Sequence, residues 1–426
     1  MAFDPNETND DFAVPATPTG LSEDSDPDLG NISDALPAAD QSDPVWASDD
    51  TAEVAAPYEP TETFEPTATY EPAEAYEPEE IALVSEFSSE DLTGIAVASG
   101  QDPAVLETAL FEIKKVIVGQ ERMLERLLVC VLARGHCLLE GVPGVAKTLA
   151  VETMAKVTGG TFARLQFTPD LLPADIVGTR IYRASSETFD VELGPVFANY
   201  VLADEINRAP AKVQSALLEV MAEKQVSIGG ETYPAPLPFL VLATQNPIES
   251  EGVYTLPEAQ RDRFLMKVLV EYPSPAEEVD IVYRMGVAAP EPTQILEPEQ
   301  IMALQAAADA TYIDRAVVDY AVNLVLTTRN PEMMGLPDLS ELLTYGASPR
   351  ASLGLVRAGR ALAFMRGRTY VMPQDVFDVA PEVLRHRLVL SYEALARDIS
   401  ADQILSRILS TIPAPQVSPQ QDVASY

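Results

Sequence analysis

Short, nearly unbroken apolar runs alternate with amphipathic segments through the middle of the chain. The runs are HCLLEG (136–141), FARLQF (162–167), YVLADE (200–205) and FLVLATQ (239–245). Runs of this length and composition suit strands covered on both faces. KTLAVETMAKV (147–157) has helical spacing and follows the first run across a glycine turn. Strands alternating with helices predict an α/β fold, with a parallel sheet flanked by helices and joined by short right-handed crossovers. Order is expected to begin near Asp102-Pro103, which reads as an N-cap followed by a proline at the first helical position. At Tyr272-Pro273-Ser274-Pro275 the texture changes, and the prolines mark an expected joint. Beyond it, helical periodicity over 298–310, 314–329, 350–366, 373–385 and 402–412 predicts a smaller all-helical domain. The stretch from Ile412, IPAPQVSPQQDVASY, reads as a linker.

Composition adds a further segment. No Lys or Arg occurs before Lys114, and the first ~90 residues combine acid with Pro, Thr and Ser. Such a segment buries too little apolar surface to offset its ordering entropy, so a disordered acidic arm is expected. The expected organisation is an arm over 1–95, an α/β core over 96–272, a helical lid over 273–412 and a flexible tail over 413–426. Within the arm, an aromatic-Glu-Pro triplet recurs at Tyr58, Phe64, Tyr70 and Tyr76. A six-residue step returns each ring to one edge of a polyproline II helix. The repeat reads either as a solvated linker or as a multivalent docking strip.

The formal net charge is −38. It argues against nucleic acid as a partner and against an anionic membrane surface, both of which call for clustered Lys and Arg. Cys130 and Cys137 are expected as reduced core thiols, and with two histidines in the chain a zinc site is not expected. No apolar run approaches the roughly 18 residues of a spanning helix. The N-terminus lacks the basic and apolar regions of a secretory signal, so a cytoplasmic protein is expected.

The first chemical signal is EGVPGVAKT (140–148). It resembles the phosphate loop Gly-x-x-x-x-Gly-Lys-Ser/Thr, with Ala146 where the second glycine belongs, and it lies between a strand and a helix as that motif requires. Backbone N–H groups and a helix N-terminus favour phosphate there. Lys147 would reach the outer phosphates, and Thr148 would ligate Mg²⁺. Gly141 and Gly144 can take positive φ without penalty. Ala146 is expected at the helix entrance with negative φ, where alanine is the better helix former. VLADEINRA then delivers Asp204 and Glu205 to the carboxyl end of a strand. Asp204 would hold Mg²⁺ through water, and Glu205 would orient and deprotonate the attacking water. Asn246, after a third strand, reads either as a contact to the γ-phosphate or the lytic water, or as a plain turn before Pro247. LPEAQRDRF carries Arg261 and Arg263, and GASPRA carries Arg350. Each arginine reads either as a stabiliser of transferring phosphate or as a surface ion-pair partner.

GVPGVAKT, TPDLLPADIVG, ADEINRAPAKVQSALLEVM, IGGETY, ATQNPIE, LPEAQRDRF and SPRASL occur in this order. Together they resemble the MoxR family of AAA+ ATPases over about residues 96–412. That family commonly has Ala before the loop lysine. The resemblance implies a Walker A loop over Gly141, Val142, Pro143, Gly144, Val145, Ala146, Lys147, Thr148 and Leu149. It implies Walker B at Asp204 and Glu205, sensor 1 at Asn246, an arginine finger at Arg263 and sensor 2 at Arg350. Val118, Gly119 and Gln120 match the stretch that lines the adenine pocket. Arg261 stands where the family usually has an apolar residue. The resemblance also implies ATP and Mg²⁺ as cofactors, a homo-oligomeric ring, usually a hexamer, and chaperone-like maturation of a client protein. Partners with a von Willebrand factor A domain often accompany the family. TRIYRASSETFDVELG (179–194) and EKQVSIGGETYPAP (223–236) look like hairpins that such rings point toward the pore. They also read as ordinary surface hairpins. The alternative to a remodelling ATPase is a slowly hydrolysing, nucleotide-gated scaffold that recruits partners through its arm.

Overall fold

The structure is a computed structural model of the chain that describes residues 102–246, 254–286 and 290–416. The expected arm, Pro247 and most of the expected tail lie outside the described residues. In chain order the longer helices and the strands begin with α1 (Ala104–Val116), α2 (Glu121–Leu132), β1 (Cys137–Gly141), α3 (Lys147–Val157) and β2 (Phe162–Gln166). Next come the hairpin β3 (Gly178–Arg183) and β4 (Thr188–Leu193), β5 (Tyr200–Asp204), α4 (Ala211–Glu223) and the hairpin β6 (Gln225–Ile228) and β7 (Glu231–Pro234). The sheet closes with β8 (Leu240–Gln245) and β9 (Met266–Val270), and α5 (Pro275–Met285) follows. The C-terminal part adds α6 (Pro298–Asp309), α7 (Arg315–Arg329), β10 (Leu343–Tyr345), α8 (Pro349–Met365), α9 (Pro373–Leu384), β11 (Val389–Leu390) and α10 (Ala401–Thr411).

The five-stranded sheet has the order β2-β5-β8-β1-β9. Every neighbouring pair in it is parallel. Four of its strands are the apolar runs of the sequence. The fifth, MKVLV at 266–270, was not anticipated; it pairs with β1 as Cys137 with Met266 through Gly141 with Val270. Successive strand residues serve opposite faces. Cys137, Leu139, Leu202, Leu242 and Val268 join α1, α2 and α3 in one core that continues into the C-terminal helices. Leu138, Val201, Ala203, Val241 and Ala243 meet α4 and β6 on the other face.

Local capping explains where the C-terminal helices start. Ser274 and Glu277 form a reciprocal capping box at α5, and Ser400 with Gln403 does the same at α10. Asp314 and Ser348 accept N–H groups at the starts of α7 and α8. This part is helical as expected, with a two-stranded antiparallel ribbon of β10 and β11 added. At the front of the described chain, Asp102 Oδ1 accepts the N–H of Ala104 at 2.9 Å, but α1 begins at Ala104 with Pro103 as its N-cap, one residue later than the sequence puts it. Both thiols are free and buried. Among the described residues no helix is long and apolar enough to cross a membrane.

His136 leads into β1 and is buried. Its Nδ1 accepts the N–H of Val241 at 3.0 Å, which leaves Nε2–H to donate to the Met221 carbonyl at 3.2 Å. Burial pushes its pKa down to about 4. The folded chain therefore binds this proton later than the unfolded chain does. The contribution of His136 to stability is complete above the unfolded value near 6.5 and falls as the pH drops toward 4. The expected loss between pH 7 and pH 5 is about 2 kcal/mol. Denaturant midpoints at the two pH values, compared with those of His136→Asn, measure it; equal pH dependence in both proteins would contradict it.

Candidate functional site

The loop between β1 and α3 is shaped by close approach and by backbone sign. A Cβ on Gly141 would lie 2.4 Å from the Val270 carbonyl oxygen, so glycine is required where β1 runs beside β9. Gly144 has φ +85° with open space around it, so only its conformation demands glycine. Ala146 corrects the sequence reading: its φ is +61°, in the left-handed region, and it is the N-cap of a helix that begins at Lys147. The expectation of a negative φ placed Ala146 one residue too far into the helix. An L-residue there costs about 1–2 kcal/mol. Such strain concentrates where surrounding structure fixes a functional loop.

Lys147 donates to the carbonyls of Gly141 and Val142, the latter at 3.2 Å. Burial lowers its pKa, and the carboxylates of Asp204, Glu205 and Glu140 oppose that shift. Asp204 ends β5 and is buried. Its Oδ1 accepts from Thr244 Oγ1 at 2.6 Å, and its Oδ2 accepts from Arg164 Nε at 3.0 Å and Nη2 at 2.6 Å. Glu205 follows with φ +57°, and its N–H donates to Thr244 Oγ1 at 2.8 Å. Glu205 Oε2 accepts from Gln166 Nε2 at 2.7 Å and lies 3.1 Å from Arg208 Nε. Pairing of β5 with β2 and β8 puts these groups at the carboxyl ends of adjacent strands, where ligands sit in open α/β sheets.

The result is one cavity of about 390 Å³ lined by Pro143, Gly144, Ala146, Lys147, Thr148, Leu149, Asp204, Glu205 and Asn246. Arg164 and Thr244 line it too. Val145 is buried in the core, and Gly141 and Val142 lie at the β1 end of the loop. Val118, Gly119 and Gln120 are not among the lining residues. They precede α2, where Gln120 Nε2 donates to the Glu271 carbonyl at 2.9 Å.

Arg263 and Arg350 line a different cavity, of about 520 Å³, together with Arg134, Lys224, Arg357 and Arg387. Arg263 Nη1 donates to the Leu218 carbonyl at 2.6 Å. Arg261 is not part of that lining and pairs with Glu258 at 3.4 Å. Asp262 joins the two arginine-bearing segments: Oδ1 accepts from buried Arg387 at 2.8 Å, Oδ2 accepts from Ser348 Oγ at 2.8 Å, and Arg350 lies 3.6 Å from Oδ2.

The donor set fits nucleotide and metal. No group of three or more His, Cys, Asp or Glu among the described residues is placed to hold a metal ion. One carboxylate and one hydroxyl, Asp204 and Thr148, instead suit Mg²⁺, which usually keeps waters and shares substrate phosphates rather than entering an all-protein cage. Sequence reasoning missed Arg164, Gln166, Thr244 and Asp262. The signal for the first two was present: two polar residues at alternate positions of FARLQF share one face of a strand otherwise read as buried.

Comparison with known proteins shows the family of this chain. Residues 136–266 match the ATPase family associated with various cellular activities (AAA), and residues 338–408 match an AAA lid domain. The chain is 63% identical over 318 residues to Chaperone MoxR1 of Mycobacterium tuberculosis, covering 74% of this chain and 84% of the relative. This chain belongs to the MoxR family of AAA+ ATPases. Protein MoxR of Methylorubrum extorquens is 34% identical, with 71% of this chain and 93% of the relative covered. A crystal structure of a protein assigned as an ATPase from Cytophaga hutchinsonii superimposes with a TM-score of 0.70 at 46% identity, covering 74% of this chain and 96% of the other. The MoxR-type chain is thus an ATP-hydrolysing enzyme built from an AAA+ sheet domain and a helical lid.

Proposed function

We propose that this MoxR protein couples Mg²⁺-dependent ATP hydrolysis, in a homo-oligomeric cytoplasmic ring, to chaperone-like remodelling of a client protein. The observation that carries the reading is the convergence of Lys147, Thr148, Asp204, Glu205 and Asn246 on one cavity, while Arg263 and Arg350 line another. Lys147 binds the outer phosphates. Thr148 and Asp204 would hold Mg²⁺, which would neutralise phosphate charge. Glu205 takes the proton of the attacking water, and Asn246 orients that water or the γ-phosphate. Arg263 reaches the phosphates from the neighbouring protomer as the finger, which gives ring assembly a chemical purpose, and Arg350 is a further phosphate contact in the sensor 2 position. A hexamer is the ring size we infer. The chaperone role rests on the similarity to Chaperone MoxR1. A client or partner carrying a von Willebrand factor A domain is inferred from family resemblance.

Removing the loop cation tests the nucleotide site. Lys147→Ala is expected to weaken binding of a fluorescent ATP analogue roughly 10- to 100-fold, the worth of a charge-assisted contact. Phosphate release should fall with it, and a chelator of divalent cations should stop phosphate release in the wild type. Unchanged analogue affinity in Lys147→Ala would end this assignment.

A further inference from the structure

We propose that Arg164 is a built-in counter-cation of Asp204 that a divalent metal has to displace, so that Arg164 sets the metal concentration at which the site takes nucleotide. This rests on Asp204 being the metal contact of the proposed function. The placement follows from strand register: Gln166 pairs with Asp204 and Arg164 with Leu202, so Arg164 lies two residues back on the same face of β2. Arg164 grips Oδ2 with two nitrogens, at 3.0 and 2.6 Å. Thr244 already occupies Oδ1. Neither carboxylate oxygen is therefore without a donor. The Arg164 side chain is half-exposed and lines the cavity shared by Lys147 and Thr148, which leaves it a path into solvent when it is displaced. Its Nη2 also donates to Gln166 Oε1 at 3.0 Å, which holds the guanidinium over Asp204.

The test reads binding rather than turnover. Affinity for a fluorescent ADP is measured by anisotropy across a Mg²⁺ titration and in excess chelator, for wild type, Arg164→Gln, Arg164→Lys and Asp204→Asn. Removing a partly exposed ion pair should lower the half-saturating Mg²⁺ of Arg164→Gln about three- to tenfold. Affinity in chelator should be unchanged, and Arg164→Lys, which keeps a point charge but loses the fork, should fall between. An Arg164→Gln protein whose Mg²⁺ requirement is unchanged or raised overturns the proposal. So does weaker ADP binding of that variant in chelator, because Arg164 would then be a phosphate ligand. Asp204→Asn is expected to raise the Mg²⁺ requirement; if it leaves the wild-type titration intact, the metal assignment of Asp204 fails, an outcome separate from the Arg164 result.

Discussion

Glu205→Gln is expected to lower steady-state ATP turnover by about 10²–10⁴-fold, the usual worth of a positioned general base, while nucleotide affinity stays near that of the wild type. The amide keeps the shape of the side chain and its hydrogen-bonding reach but accepts no proton from water at neutral pH. The setting of Glu205 favours this outcome. Its left-handed backbone turns it out of β5, and its N–H is fixed by Thr244. Gln166 and Arg208 hold its carboxylate on the cavity that Lys147 and Asp204 share. Single-turnover hydrolysis together with analogue binding separates chemistry from affinity. A variant that binds ATP and turns it over at the wild-type rate would remove Glu205 from the chemistry and favour a structural role for its hydrogen bonds.

The second large effect concerns Arg263. An arginine supplied by a neighbouring subunit is worth roughly 10³–10⁵ in phosphoryl transfer, and Arg263→Ala should lose turnover on that scale. Within one chain this guanidinium is anchored on the Leu218 carbonyl and lines a cavity apart from the phosphate loop. Action in trans therefore predicts complementation. Arg263→Ala and Glu205→Gln, each nearly inactive alone, should recover part of the wild-type turnover when mixed and allowed to reassemble, because some interfaces then combine an intact Glu205 with an intact Arg263. A mixture no more active than its components would place Arg263 outside the neighbouring site. Arg261→Ala, which among the described residues removes an i,i+3 pair with Glu258, should retain most of the turnover, and a deep loss there would exchange the roles of the two arginines.

Much of this molecule is local in origin, and the sequence determined that part alone. Phosphate-loop spacing, the apolar strands and the capped amphipathic helices each depend on residues within a turn or two. The helices observed at 298–309, 315–329, 349–365, 373–384 and 401–411 accordingly lie within a residue or so of their expected bounds. The two segments singled out as hairpins are hairpins. Tertiary structure decided what depends on distant partners. MKVLV becomes a strand because β1 offers it an edge, and its own short run carries little periodicity. The positive φ of Ala146 is imposed by the turn between a fixed strand and a fixed helix, a geometry that residue type alone does not reveal. The counter-cation of Asp204 comes from a strand forty residues earlier, brought alongside by parallel pairing. The separation of Arg263 and Arg350 from Lys147 is likewise a matter of which cavity each segment lines, and Asp262 links their two segments through its contact with Ser348 across 86 residues. Backbone periodicity is written in neighbouring side chains, whereas the charge balance of a site is set by register and packing between segments far apart in the chain.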